Sequence, residues 1–181
     1  MKRYSYLLAI LLTALLVLSA CSGNKKIQEP VEPPPTPLEL AKAAADTAAI
    51  CLEEENFALA LDYFNQSKEF YLLAQPEATP VDSVDVNIER IQSNIAFTYQ
   101  NLAHESDQLH QYDDAIMEFE SAANIYKSLV PLTMTAAERD VMVAGLYRNM
   151  AVTAQKAGQY ERALGYYDNV LQIEPGNEDV L

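Results

Sequence analysis

The sequence is poor in chain breakers. It has five Gly in 181 residues, and from Val81 to Val130 it has neither Gly nor Pro. Stretches that long without a breaker argue against many short strands joined by tight turns, and favour helices. Cysteine is scarce too, with only Cys21 and Cys51 present. No Cys pair has zinc spacing, and no Gly-rich loop is available to cradle a phosphate. Positive charge is the third shortage: the chain carries 12 Lys and Arg against 26 Asp and Glu, a formal net charge of −14. Such a field disfavours nucleic acid and anionic lipid surfaces as partners. The length suits one domain of ordinary size.

What is present begins with an export layout. Lys2 and Arg3 form a basic start, and residues 7–18 are apolar except for Thr13. Small residues Ser19 and Ala20 then precede Cys21. The apolar run is too short to span a bilayer and fits a signal peptide over residues 1–20. Leu18-Ser19-Ala20-Cys21 resembles the lipobox of bacterial lipoproteins. That resemblance implies that Cys21 becomes the first mature residue and carries several acyl chains, which together hold a protein stably at a membrane. It also implies a place in the bacterial cell envelope. Ser22 in place of an inner-membrane retention Asp points to the outer membrane, facing the periplasm. With Cys21 acylated, Cys51 has no thiol partner, and its apolar surroundings suit a buried structural residue.

Residues 21–35 read as a polar, then proline-rich linker. The fourteen residues 22–35, as polyproline II, reach at most about 43 Å at ~3.1 Å each. A helical domain is expected over residues 36–181. Thr36-Pro37-Leu38-Glu39 has the pattern of a capping box with Pro at the first helical position. Thr79-Pro80-Val81-Asp82 and Thr135-Ala136-Ala137-Glu138 repeat it, so three units are expected, at about 36–76, 79–131 and 135–175.

Each start precedes a second pattern: Phe57, Ala60, Phe64, Ser67, Tyr71; then Tyr112, Ala115, Phe119, Ala122, Tyr126; then Tyr160, Ala163, Tyr167, Val170, Ile173. Steps of three and four place each set on one helical face. Pro76, Pro131 and Pro175 close the copies, and their spacing makes the first two second helices about one turn longer than the third. Residues 93–100 (SNIAFTYQ) align with residues 148–155 (RNMAVTAQ). On that alignment the middle hairpin has seven extra residues before its turn and stands taller by roughly 10 Å.

Tyr147-x2-Met150-Ala151-x2-Ala154, Gly158, Tyr160, Ala163-x3-Tyr167 and Pro175 resemble a tetratricopeptide repeat. The second unit keeps Ile95-Ala96-x2-Tyr99 and Ala115-x3-Phe119 but has His110 in place of Gly, and the first rests mainly on its second helix. The resemblance implies an all-α fold of three stacked antiparallel hairpins, a right-handed solenoid. Tyr160 and Tyr167 would then fill space between helices. It also implies a non-catalytic scaffold that recruits or positions envelope proteins, with no cofactor and no metal. A protein or extended peptide would lie in a concave groove lined by the first helices. Carried over by alignment, the groove residues are Asn94, Phe97, Gln100, Asn101, Arg148, Asn149, Val152, Gln155 and Lys156. The amides would bond a peptide backbone, and Arg148 and Lys156 would receive a carboxylate. Ala45 and Ala49 replace the residues of a carboxylate clamp, so chaperone C-termini are not expected.

Two alternatives stand beside this reading. Leu164 and Leu171, seven apart on the last helix, would form an open edge through which the chain self-assembles as a homodimer or larger structure. His104, Asp107 and His110, at steps of three, would be the site of a small metal-dependent or substrate-binding envelope enzyme.

Overall fold

The computed structural model describes residues 33–75 and 83–176. Those residues form six helices and no strand. The helices are α1 (Pro37–Glu53), α2 (Phe57–Ala74), α3 (Val84–Gln108), α4 (Tyr112–Ser128), α5 (Ala136–Lys156) and α6 (Tyr160–Ile173). They pair as three hairpins, and α3 packs on α2 as α5 packs on α4. All six belong to one unit, Pro35–Leu181. None is long and apolar enough to cross a membrane. The expected signal segment, Cys21, the Thr79 motif, Pro76 and Leu181 lie outside the described residues.

Two of the three expected capping boxes are formed. Thr36 N–H donates to Glu39 Oε2 at 2.7 Å while Thr36 Oγ1 accepts from Glu39 N–H at 3.3 Å. Thr135 and Glu138 repeat the pair at 2.7 and 3.1 Å. Each box satisfies amides that a helix start otherwise leaves free. Helix α3 differs. It begins at Val84 behind Ser83, whose left-handed backbone (φ 48°) makes no side-chain cap.

The three turns are one device used three times. Glu55, His110 and Gly158 adopt left-handed φ of 57°, 62° and 74°. In each turn the next N–H reaches back to a carbonyl five residues earlier: Asn56 to Cys51, Gln111 to Ser106 and Gln159 to Ala154, all at 2.8 Å. The second helix follows at Phe57, Tyr112 or Tyr160. Three residues into it comes the alanine of close helix contact, and Ala60, Ala115 and Ala163 are 0–2% exposed. On the first helices, Ala48, Ala103 and Ala151 each stand seven residues before the left-handed residue and are wholly buried.

This geometry corrects the height expected of the middle hairpin. Register runs from Ala103 to Ala151, not from Ala96 to Ala151, so no extra turns precede His110. Helix α3 is the longest, with 25 residues against 21 in α5 and 17 in α1. Its additional length over α5 lies at the N-terminal end. The misregistration equals seven residues, two helical turns that return to nearly the same face, so either alignment satisfies the apolar pattern. The expected length difference among second helices is present: 18 and 17 residues in α2 and α4, 14 in α6.

The core is two clusters that meet. Phe64, Tyr71, Ile91 and Ile95 fill the space between the first and second hairpins. Ile116, Phe119, Leu146 and Met150 fill that between the second and third. Tyr99 and Ile125 pack against both, so the stack is continuous. Cys51 is buried within the first cluster as expected of a structural thiol. Tyr160 and Tyr167 do not fill inter-helix space as expected: Tyr160 is 68% exposed and Tyr167 half-buried. Their counterparts Tyr112 and Phe119 are on α4, against which the next hairpin packs through α5, whereas no described hairpin follows α6.

Candidate partner-binding face on the first helices

Helices α3 and α5 lie side by side and are bridged at their C-terminal ends. Asp107 of α3 accepts from Thr153 Oγ1 at 3.1 Å and from Lys156 Nζ at 2.5 Å. The sides of α3 and α5 turned into the core carry Ile95, Thr98, Ala103, Met150, Ala151 and Ala154, all buried. The nine groove candidates occupy the remaining sides. On α3, Asn94 is exposed, Phe97 is 46% exposed, and Gln100 and Asn101 are half-buried. On α5, Arg148 and Asn149 are half-buried and Val152 is 43% exposed, with Gln155 and Lys156 exposed beside it.

Structural register changes how these candidates pair. Counting from His110 and Gly158, Gln100 matches Arg148 and Asn101 matches Asn149, while His104 matches Val152. Asn94 and Phe97 therefore sit about two turns farther from the turn than their sequence alignment placed them. His104 is a face residue that the alignment missed. The seven-residue step from the buried alanine to the left-handed turn residue was the signal that would have found it.

The electrostatics also depart from expectation. Arg148 Nη2 donates to Glu174 at 3.0 Å, and Lys156 is paired with Asp107. Both cations reserved for a partner carboxylate are thus neutralised within the chain. Arg148 Nε is buried without a hydrogen-bond partner. Gln155 accepts from the Tyr167 hydroxyl at 3.2 Å. What the face offers freely is apolar surface at Phe97 and Val152, with Asn94, Gln100 and Asn101 three or four residues from Phe97 on α3 and Asn149 three residues from Val152 on α5. Amides both donate and accept, so they suit an extended backbone.

The His104, Asp107 and His110 side chains do not converge. The His104 ring packs edge-on against Phe119 at 5.1 Å. Asp107 serves Thr153 and Lys156. His110 lies in the turn, its Nδ1 at 2.9 Å from the Tyr112 hydroxyl. Among the described residues no group of three or more His, Cys, Asp or Glu is placed to hold a metal ion. A cleft of about 490 Å³ opens beside His110, between Tyr112, Asp113 and Lys156.

The tetratricopeptide repeat family matches the chain at residues 144–177. That match starts within α5 and runs past the end of α6, covering the turn at Gly158. Among solved structures the chain is similar to BtubC (BKLC) from P. vanneervenii, with 19% identity over 76% of this chain and 47% of that one and a TM-score of 0.42. The match spans about half the length of that solved chain. No curated protein matches the sequence. A tetratricopeptide repeat is a protein-binding module, and stacked all-helical repeats are typical of non-catalytic scaffolds.

Proposed function

We propose that this protein is a non-catalytic adaptor held at a bacterial envelope membrane by lipid on Cys21. Its helical unit, carried on the linker of residues 21–35, binds an extended segment of another envelope protein across α3 and α5. One observation carries the reading: Phe97 and Val152 stand exposed on the first helices, each with amide side chains three or four residues away along its own helix, while Arg148 and Lys156 are already paired. The segment favoured by that chemistry has an apolar side chain as its anchor, bonds through its backbone, and bears basic rather than acidic flanks, since the chain is strongly acidic. The basic start, the short apolar run and Leu18-Ser19-Ala20-Cys21 support the anchor, and Ser22 supports the outer membrane.

Photo-crosslinking in cells tests the binding face. A photoreactive residue at Phe97 or Val152 gives discrete adducts, whereas one at Met117, exposed on α4, gives none. Equal labelling from all three positions defeats the reading. The anchor is tested separately: Cys21→Ala abolishes incorporation of a fatty-acid label and moves the protein from the membrane fraction to the soluble one.

A further inference from the structure

Helix α4 and helix α6 carry the same surface, but only one is covered. On α4 the stripe is Tyr112, Ile116, Phe119 and Ala123; the last three share a core with Val143, Leu146 and Met150 of α5, with Ile116 and Phe119 at 0% and 1% exposure. In register on α6 the stripe is Tyr160, Leu164, Tyr167 and Leu171, and Tyr160 and Leu164 are 68% and 64% exposed. Beside the α4 stripe run two carboxylates. Asp113 accepts from Arg162 Nη1 at 3.2 Å and from Gln159 Nε2 at 3.0 Å. Glu120 accepts from the Tyr166 hydroxyl at 2.7 Å, with Arg162 Nη2 at 3.7 Å. Helix α6 repeats both carboxylates in register as Glu161 and Asp168. Among the described residues neither has a hydrogen bond or ion pair.

We propose that this edge docks a helical hairpin of a different protein. The partner's first helix lays an apolar stripe over Leu164, as α5 does over Ile116. Its second helix sets an arginine between Glu161 and Asp168, as α6 sets Arg162 between Asp113 and Glu120. The apolar stripe supplies the driving force, while the exposed carboxylates contribute little affinity and select the partner. A second copy of this chain lacks the matching chemistry. Counted back through the repeat, its first hairpin has Leu59 in the place of Arg162 and Glu53 in the place of Lys156. Head-to-tail stacking would leave Glu161 and Asp168 unpaired and bring another carboxylate to a chain of net charge −14.

The probe is a fluorescent peptide of residues 136–173, the hairpin that covers α4 and carries both Lys156 and Arg162, titrated against the full-length protein. The comparison peptide is residues 37–74, with Glu53 and Leu59. Binding of the first peptide is expected, with the second about tenfold weaker. Leu164→Glu, on an exposed site that leaves the circular dichroism unchanged, abolishes binding. Asp168→Arg weakens it, and Arg162→Glu in the peptide restores it. Because a lone hairpin is marginally stable, the same 136–173 sequence is also joined behind the full chain through a flexible linker. Docking then raises the thermal midpoint, and Leu164→Glu removes the rise. Equal binding of the two peptides overturns the proposal, as does binding unchanged by Leu164→Glu. A dimer in sedimentation that Leu164→Glu dissolves makes a second copy the occupant and overturns it too. So does the absence of both peptide binding below ~1 mM and a thermal rise in the joined chain.

Discussion

Glu89 and Thr133 stand 44 positions apart, and the Thr133 N–H donates to Glu89 Oε2 at 2.7 Å. The same oxygen accepts from Leu132 N–H at 2.9 Å. Glu89 is 3% exposed on α3, so one buried carboxylate ties down the connection between α4 and α5. Its Oε1 is buried without a partner. Glu89→Ala strips the acceptor from two amides and is expected to cost about 1–3 kcal/mol in urea unfolding. Glu89→Gln keeps a carbonyl acceptor and costs less than half as much. Equal losses in the two variants would show that the ionised carboxylate, and not merely a carbonyl acceptor of the same size, holds the connection.

The turns allow a test in the opposite direction. Glu55 and His110 hold left-handed backbone without being Gly, a conformation unfavourable by ~1–2 kcal/mol for most L-residues. Glu55→Gly is expected to stabilise the chain by about 0.5–1 kcal/mol. His110→Gly gains less, because it loses the contact with the Tyr112 hydroxyl. Gly158→Ala loses about 1 kcal/mol. Midpoints of chemical denaturation at constant slope read all three.

Core truncations rank by coverage. Phe119, 1% exposed between the second and third hairpins, is expected to cost about 3–5 kcal/mol on replacement by Ala. Tyr167 occupies the same place in the third hairpin, and the sequence pattern predicts a similar loss. Tyr167 is only partly buried on α6, so Tyr167→Ala is expected to cost less than Phe119→Ala. Comparable losses at the two positions would mean that α6 is covered in solution.

Acid acts on the helix starts. The Thr36 and Thr135 backbone N–H groups, helped by their hydroxyls, hold the Glu39 and Glu138 carboxyls below the ordinary value of 4.5. A depressed folded pKa contributes stability above the unfolded value and loses it as pH falls through the folded one. The amide resonances of Thr36 and Thr135 are therefore expected to shift together below pH 4.5. Glu39→Gln and Glu138→Gln each abolish their own shift. Glu118 acts in the reverse sense: burial raises its pKa against the lowering effect of the Ser106 hydroxyl. That carboxyl favours the fold below its unfolded pKa and loses the advantage as pH rises, so Glu118→Gln stabilises the chain at neutral pH.

The sequence by itself determined the helices, their pairing and two of their starts. Those features are local: breaker-free stretches, aromatic and alanine steps of three and four, a Thr with a Glu three residues on, and a Gly at the third turn. Each is written within one or two turns of chain. The all-helical repeat architecture followed from them, as did the burial of Cys51, Ala60, Ala115 and Ala163. Tertiary structure alone decided the register of the middle hairpin, because a seven-residue slip preserves the helical face and the choice falls to the turn at His110. It also decided the charge of the candidate face. Arg148 and Lys156 look available in sequence, but Glu174 and Asp107 reach them from 26 and 49 positions away. Burial of apolar stripes in register was likewise undecided until packing was known: Ile116 and Leu164 read alike along the chain, and what separates them is whether another hairpin lies on top.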